Sequence, residues 1–163
     1  MNPSFLRAGA NPADATKPGS HPSRPAVPDQ TPGAPKRSLY VLCIDDDAVI
    51  LEVTKDCLTY FEHRVRVASG GQYGIELFCS AIQKSEPYDV VITDMRMPDL
   101  DGFQVARMIK AESPQTPVIM MTGEDKFMGN RDQAPAVDVV IGKPARMREL
   151  NELLLRITEY HIN

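Results

Sequence analysis

Short apolar runs alternate with longer stretches of helical periodicity between residue 38 and the end of the chain. Short apolar runs bounded by turn residues are typical of buried strands, and five occur, at residues 39–44, 65–68, 90–92, 118–121 and 137–141. Between and after them, apolar residues recur every three or four positions, as in helices packed on a core. Five strands alternating with five helices predict right-handed β-α-β crossovers, and therefore an α/β fold with helices on both faces of a parallel sheet.

Helix boundaries are marked by acids and by glycine or proline. Asp46 or Asp47 can cap the first helix, since both directly precede it. Asp101, which precedes Gly102, is interpreted as a turn and helix-start residue. The fourth helical segment, residues 125–134, is predicted to be weak, because Gly129 interrupts it and a proline follows it.

Polar residues with useful chemistry follow four of the five predicted strands. Asp45 and Asp46 come after the first strand and Asp94 ends the third. Thr122 follows the fourth strand, and Lys143 lies just beyond the fifth. In open parallel sheets, ligands bind at the carboxyl ends of the strands. We therefore expect acids, a hydroxyl and an amine to meet at one edge of the sheet.

The three acids of this edge would strongly repel one another. If the first and third strands are neighbours, their ends lie ~4.8 Å apart, and Asp45, Asp46 and Asp94 are crowded together. Two unit charges at about 4 Å repel by roughly 4 kcal/mol at an effective dielectric constant near 20, so either one pKa rises or a cation binds. Oxygen ligands without nearby His or Cys favour a hard ion such as Mg²⁺. Thr122 and Lys143 could then grip a phosphoryl group, with Asp94 as its acceptor.

Composition narrows the class of protein. The chain has 163 residues, of which 42% are hydrophobic, and this is typical of one soluble globular domain. No apolar run approaches the roughly 18 residues of a membrane span, and a signal peptide's apolar core is missing, so we expect a cytoplasmic protein without membrane contact. Three cysteines without C-x-x-C spacing are interpreted as reduced, buried residues.

Residues 1–37 differ from the rest of the chain. They hold eight of the fourteen prolines and show hardly any apolar periodicity, which predicts a disordered Pro/Ala-rich tail. Of the chain's net charge of −4, this tail contributes +3 and residues 38–163 therefore −7. Because duplex affinity comes largely from neutralising phosphates, we expect no direct binding of nucleic acid by the acidic domain.

Residues 38–161 resemble the receiver domain of two-component response regulators, in the single-domain, chemotaxis-regulator-like form. The resemblance rests on VLCIDDD at 41–47, DMRMPDLDG at 94–102, VIMMTG at 118–123 and the pair Lys143-Pro144. Each motif is common by itself, but four in order on successive strand ends are specific. The resemblance implies a flavodoxin-like sheet in the order 2-1-3-4-5, a domain over residues 38–163, and a function in phosphorelay signalling.

The family's site residues carry over onto matching positions. By the resemblance, Asp94 would be the phosphoacceptor and would take its phosphoryl group from a phosphohistidine of a sensor histidine kinase or phosphotransfer protein. Asp46, Asp94 and the backbone carbonyl of Arg96 would bind Mg²⁺ directly, and Asp45 would act on the metal through water. Such a protein is not an enzyme with a separate substrate, and its activities would be autophosphorylation and autodephosphorylation.

The resemblance also assigns residues that grip the phosphoryl group and tune its lifetime. Thr122 would donate a hydrogen bond to one phosphoryl oxygen, and Lys143 would pair with another. The side chains two positions past the acceptor and two past the threonine, here Arg96 and Glu124, tune the lifetime of the phosphoryl group in this family. The Lys143-Pro144 bond is usually cis in the family.

One switch position departs from the family. Three residues before the lysine, where Tyr or Phe usually works with Thr122 to report phosphorylation, this sequence has Val140. A valine has no ring to swing, so we predict intact phosphorylation and an unusual readout. No effector segment is expected after the receiver, and output would pass through a downstream protein partner. A homodimer is also compatible with the sequence.

Two alternative functions stay open at this point. Asp45 and Asp47 also fit the D-x-D start of haloacid-dehalogenase-like phosphohydrolases, with Asp45 as nucleophile, Asp47 as general acid, and Thr122 and Lys143 as later motifs. Those enzymes need a further acidic pair after the lysine, where this chain has only isolated acids. The second alternative is an unphosphorylated binding scaffold, whose usual signature is the loss of an acid, the threonine or the lysine.

Overall fold

The computed structural model describes residues 37–123 and 135–160 of the chain. These residues form five strands and four helices, in the order β1 (Tyr40–Asp45), α1 (Ala48–Tyr60), β2 (Arg64–Ser69), α2 (Gly71–Gln83), β3 (Val90–Asp94), α3 (Gly102–Glu112), β4 (Val118–Thr122), β5 (Val139–Gly142) and α4 (Met147–Tyr160). The predicted helix at 125–134 and the predicted tail, apart from Arg37, lie outside the described residues.

All five strands run parallel in one sheet, in the order β2-β1-β3-β4-β5. This order confirms the flavodoxin-like fold that the resemblance implied. The chain reverses its direction of travel across the sheet between β1 and β3, and ligands bind at such a switch point in open α/β sheets. The order therefore brings the carboxyl ends of β1 and β3 side by side.

Burial explains why some strands were easier to predict than others. The strands β3 and β4 are buried along their whole length, and β1 is buried from its second residue. Strands covered by helices on both faces appear as continuous apolar runs. The edge strands β2 and β5 are partly exposed, and β5 begins at Val139, two residues later than the predicted run, although Val137 is itself buried.

The core lies on both faces of the sheet. Helices α2 and α3 cover one face, where buried residues include Leu42, Ile75, Phe78, Val91, Val105 and Ile109. Helices α1 and α4 cover the other, where they include Val41, Leu51, Leu58, Ile92, Leu154 and Ile157. Each fully buried side chain of this kind contributes about 1.5–3 kcal/mol through removal of apolar surface from water. The two clusters hold the sheet rigid beneath its polar edge.

Two helix starts confirm the capping predictions. Asp47 precedes α1, and its Oδ1 accepts a hydrogen bond of 2.8 Å from the backbone N–H of Val49. Asp101 and Gln104 form a capping box at the start of α3, in which each side chain accepts from the other residue's backbone N–H. Both acids satisfy N–H groups that a helix leaves without intrahelical partners.

The three cysteines differ in burial. All three cysteines are free thiols; Cys43 and Cys57 are buried as predicted, whereas Cys79 is partly exposed. Burial raises the pKa of Cys43 to about 12, so this thiol stays protonated and unreactive near neutral pH.

None of the helices within residues 37–123 and 135–160 combines the length and apolar character needed to cross a bilayer.

Candidate functional site

Asp45 ends β1 at the polar edge and is 4% exposed. Its Oδ1 accepts a 2.9 Å hydrogen bond from the backbone N–H of Asp47, and its Oδ2 accepts a 2.6 Å hydrogen bond from Lys143 Nζ. Burial raises the pKa of the Asp45 carboxyl above its usual value, while the bonds from Lys143 and Asp47 work in the opposite direction. The carboxylate is thus buried and held by donors on both oxygens.

Asp94 ends β3 beside it, and its side chain is 10% exposed. Its Oδ1 lies 2.6 Å from Lys143 Nζ, and its Oδ2 accepts a 2.7 Å hydrogen bond from the backbone N–H of Arg96. The loop after β3 turns back tightly, since Gly102 N–H donates to the Met95 carbonyl at 3.0 Å. A Cβ at Gly102 would lie 2.3 Å from the Asp94 carbonyl oxygen, so only glycine fits at this position without displacing the backbone.

Lys143 reaches both carboxylates from the end of β5. Its backbone N–H donates to the Thr122 carbonyl at 2.7 Å, which fixes the segment next to β4. The peptide bond to Pro144 is cis, as the resemblance implied. Burial by itself would lower the pKa of Lys143, but the hydrogen bonds to Asp45 and Asp94 outweigh it and raise the pKa. Lys143 is therefore charged near neutral pH and compensates two acids at once.

The geometry shows how the chain itself offsets part of the crowding of the acids. We expected either a raised pKa or a cation in the cluster. Burial raises the pKa of Asp45, and an ammonium group of the chain itself lies 2.6 Å from an oxygen of Asp45 and 2.6 Å from an oxygen of Asp94. The third acid, Asp46, is exposed at the rim of the site.

The acids fit a hard divalent cation. Asp45, Asp46 and Asp94 each offer one oxygen, and the three oxygens lie within 4.8 Å of one another. Carboxylate oxygens alone, with one acid exposed to solvent, suit an ion that keeps several waters, as Mg²⁺ does. Arg96 lies on the same loop, two residues past Asp94. The three acids therefore lie close enough together to share one cation.

The remaining predicted residues fall at defined positions. Thr122 ends β4 at 1% exposure and pairs in register with Gly142 of β5. The Arg96 side chain is exposed, and Val140 is half-buried within β5, opposite Met120 of β4. Glu124, the second tuning position, lies outside the described residues. The structure thus brings Asp45, Asp94 and Lys143 into direct contact and places Thr122 on the neighbouring strand end.

Sequence reasoning missed one residue beside the site, Asp99. Its carboxylate accepts hydrogen bonds from the backbone N–H groups of Gly71 at 3.1 Å and Gln72 at 2.8 Å, at the start of α2. The residue before α2 is Gly70, which has no side chain to cap the helix. A helix start without its own capping side chain, together with an unassigned acid in the loop after β3, is the signal that could have revealed it.

Comparison with protein families identifies one matching model. Residues 41–155 match the response regulator receiver domain. Transcription factor SKN7 of Saccharomyces cerevisiae is 30% identical over 145 residues, which cover 81% of this chain and 22% of SKN7. The two-component response regulator ARR11 of Arabidopsis thaliana is 33% identical over 114 residues, which cover 69% of this chain and 21% of ARR11. The chain therefore spans about a fifth of the length of these curated relatives.

Solved structures show the same likeness. A response regulator receiver domain protein from Clostridium thermocellum is 29% identical with a TM-score of 0.66, and the match covers 75% of this chain and 95% of that protein. The response regulator TrrA of Thermotoga maritima, solved in complex with Mg²⁺-BeF, is 25% identical with a TM-score of 0.65. That match covers 73% of this chain and 98% of TrrA.

Proposed function

This chain belongs to the family of response regulator receiver domains, which act in phosphorelay signalling, and on that premise we propose that Asp94 accepts a phosphoryl group in an Mg²⁺-dependent transfer. The donor would be a phosphohistidine of a sensor histidine kinase or phosphotransfer protein in the cytoplasm. The observation that carries the proposal is the position of Lys143 Nζ, 2.6 Å from an oxygen of Asp45 and 2.6 Å from an oxygen of Asp94.

The proposed transfer moves a phosphoryl group from a histidine of the donor to Asp94. A carboxylate oxygen of Asp94 forms a bond to phosphorus, and the bond between phosphorus and the donor's imidazole nitrogen breaks with its electron pair going to that nitrogen. When bound, Mg²⁺ would neutralise charge on the phosphoryl oxygens. As an Asp94 oxygen bonds to phosphorus and the side chain becomes an acyl phosphate, Lys143 can exchange its contact with Asp94 for one with a phosphoryl oxygen, so the ammonium stays paired. Thr122, at the end of β4, would donate its hydroxyl proton to another phosphoryl oxygen.

The protein would not turn over a separate substrate. The protein would autophosphorylate from small phosphodonors and would lose the phosphoryl group by hydrolysis. The rival assignment of Asp45 as the nucleophile requires Asp47 as a general acid, but Asp47 Oδ1 accepts backbone hydrogen bonds from Val49 at 2.8 Å and Ile50 at 3.4 Å. A carboxylate engaged as a helix cap is poorly placed to deliver a proton to a leaving group. The site favours Asp94 as the acceptor.

Labelling with acetyl phosphate and Mg²⁺ tests the acceptor. We expect stable label on the wild-type protein and none on Asp94→Asn. The matched control is Asp101→Asn. Asp101 is an acid of the same loop that caps α3, and its hydrogen bonds involve neither Asp94 nor Lys143. Label that survives in Asp94→Asn would overturn the assignment, because another carboxylate would then be the nucleophile.

A face between α1 and α4 suits the donor protein. Val53 on α1 and Met147 on α4 are large apolar side chains with exposures of 60% and 48%. They line a mostly apolar groove that also includes Lys143. Because Lys143 also contacts Asp94, a protein that fills this groove lies beside the acceptor and can bring its phosphohistidine within bonding distance. We therefore assign the groove to the phosphodonor.

A pair of charge insertions tests this face. Val53→Asp should slow phosphorylation by a purified phosphodonor protein and leave the rate with acetyl phosphate unchanged, because only the protein donor needs the groove. Met108→Asp changes a side chain of 41% exposure on α3, outside the groove, and should leave both rates unchanged. Equal loss with both donors would mean that Val53→Asp damages the acceptor site, and no loss with either would move the donor to another face.

A further inference from the structure

Asp99 lies in the loop after β3 but caps a different helix. Its Oδ1 accepts from Gly71 N–H at 3.1 Å and its Oδ2 from Gln72 N–H at 2.8 Å. The residue at the cap position of α2, Gly70, makes no side-chain hydrogen bond. The first N–H groups of a helix need acceptors from outside the helix, and in α2 a carboxylate 27 residues further along the chain supplies them.

The backbone at this contact is shaped for close approach. Gly70 has φ +107°, a conformation that favours glycine, and a Cβ there would lie 3.0 Å from Asp99 Oδ2. A Cβ on Gly71 would lie 2.5 Å from the Leu100 carbonyl oxygen. The start of α2 therefore packs closely against the loop after β3, at Gly70 against the Asp99 carboxylate and at Gly71 against the Leu100 backbone.

The segments on the two sides of this contact are each hydrogen-bonded to one of the two buried acids, Asp45 and Asp94. Gly70 N–H donates to the Asp45 backbone carbonyl at 3.1 Å, which connects the start of α2 to the end of β1. On the other side, the same loop carries Arg96, whose N–H donates to Asp94 Oδ2 at 2.7 Å. Asp99 is thus the side chain that links the backbone beside Asp45 to the loop that holds Asp94.

We propose that Asp99 is a positioning residue for phosphoryl transfer, because its two hydrogen bonds to α2 hold the loop after β3 so that Arg96 N–H stays aligned with Asp94. This inference rests on the proposed function, since it concerns the same acceptor. Asp99 acts through the backbone and does not itself contact the phosphoryl group. The hydrogen bond from Gln72 N–H holds the pKa of Asp99 below its usual value, so the carboxylate is ionised near neutral pH and both oxygens accept.

Amide hydrogen exchange in the metal-free protein tests the link directly. In Asp99→Ala, exchange of the Gly71 and Gln72 amides should rise roughly five- to tenfold, as expected for loss of a helix cap. If Asp99 positions the loop, the Arg96 amide should accelerate by a similar factor although it does not contact Asp99. Asp99→Asn keeps one carbonyl oxygen and should give an intermediate increase at Arg96.

The matched control is Asp89→Ala. Asp89 Oδ2 accepts a 2.7 Å hydrogen bond from Tyr40 N–H at the opposite end of β1, so its loss also removes a carboxylate from a backbone amide. This variant should leave the exchange of the Arg96 amide unchanged. In Mg²⁺, Asp99→Ala should be phosphorylated by acetyl phosphate severalfold more slowly than Asp89→Ala, under conditions in which both variants are fully folded.

The outcomes separate this inference from the proposed function. Faster exchange at Gly71 and Gln72 with unchanged exchange at Arg96, and a phosphorylation rate equal to that of Asp89→Ala, would make Asp99 a structural cap only and overturn the proposal. A wild-type protein that takes no label at Asp94 would overturn the proposed function instead. The exchange measurement would still decide whether Asp99 aligns the loop.

Discussion

Replacing Lys143 by methionine tests how the chain keeps its acids together. Lys143→Met preserves most of the length of the side chain and removes the ammonium that lies 2.6 Å from an oxygen of Asp45 and 2.6 Å from an oxygen of Asp94. Without that charge, the two buried carboxylates lose the ammonium that they share. We expect the variant to be markedly less stable than the wild type when no metal is present.

The magnitude follows from the distances. One carboxylate oxygen of each of the three acids lies within 4.8 Å of the others. At that separation, two unit charges repel by about 3–4 kcal/mol at an effective dielectric constant near 20. Removing one partner of a buried ion pair typically costs about 3–5 kcal/mol. The Lys143 side chain keeps 19% exposure, so solvent screens part of the effect. We therefore expect a loss of about 2–4 kcal/mol in the free energy of unfolding.

Mg²⁺ should restore much of this loss. A cation that binds only the folded state stabilises it in proportion to the logarithm of its concentration over its dissociation constant. With the ammonium gone, the acids should bind Mg²⁺ more tightly than in the wild type, and each tenfold gain in affinity is worth about 1.4 kcal/mol. The stability difference between variant and wild type should therefore shrink by about 1 kcal/mol or more at about 10 mM Mg²⁺.

Urea unfolding with EDTA or with Mg²⁺ measures both effects, and because the chain has no tryptophan, circular dichroism or tyrosine fluorescence serves as the signal. The matched control is Lys110→Met. Lys110 has the same side-chain exposure of 19% but pairs with a single carboxylate, that of Asp138, at 2.8 Å. It should lose about 1 kcal/mol or less, equally with and without Mg²⁺. A Lys143→Met loss no larger than this, or one that Mg²⁺ leaves unchanged, would refute the reasoning.

Three smaller predictions concern packing, capping and readout. Gly74→Ala would place a Cβ 2.4 Å from Ile44 Cδ1 and should cost about 1–3 kcal/mol in urea unfolding, a penalty that largely disappears in an Ile44→Ala background. Asp101→Ala removes the capping box with Gln104 and should cost about 1 kcal/mol by the same assay; no loss would mean that α3 is held by packing alone. Val140→Ala should change the affinity for beryllofluoride, measured by NMR titration, by less than about twofold. A change of about fivefold or more would contradict this prediction, because it would mean that Val140 is allosterically coupled to the acceptor site.

The strands and their polar ends were predictable because two local signals agree. Buried strands such as β3 begin as continuous apolar runs, and Thr93 and Asp94 follow that run at the carboxyl end of the strand. The caps at Asp47 and Asp101 were equally local, since each acid lies directly before the helix whose N–H groups it accepts. Which strand ends are neighbours is not a local property, however. From the sequence alone, the pairing of β1 with β3 had to be assumed, and only the family's strand order predicted it. This pairing brings Asp45 to Asp94.

Contacts between distant segments leave no periodic trace in the sequence. Asp99 caps a helix that begins 28 residues earlier, so neither its spacing nor its neighbours point to Gly71. The double contact of Lys143 is a similar case. The sequence placed its amine at the same edge as the acids, but its pairing with both Asp45 and Asp94 depends on distances that only the folded chain fixes.

We expect acceptor chemistry and readout to be separable in this domain, because the two residues concerned, one within β5 and one just beyond it, have different surroundings. Lys143, just beyond the strand, contacts Asp45 and Asp94, whereas Val140 packs against the core on the α2 and α3 face. We therefore expect that valine in place of the family's usual aromatic residue alters the readout of phosphorylation and leaves the proposed contacts of the phosphoryl group intact. Within the described residues, the backbone offers one route for a readout. Lys143 N–H donates to the Thr122 carbonyl at 2.7 Å, so we expect that a shift of Lys143 toward a phosphoryl oxygen would pull on the ends of β4 and β5 together.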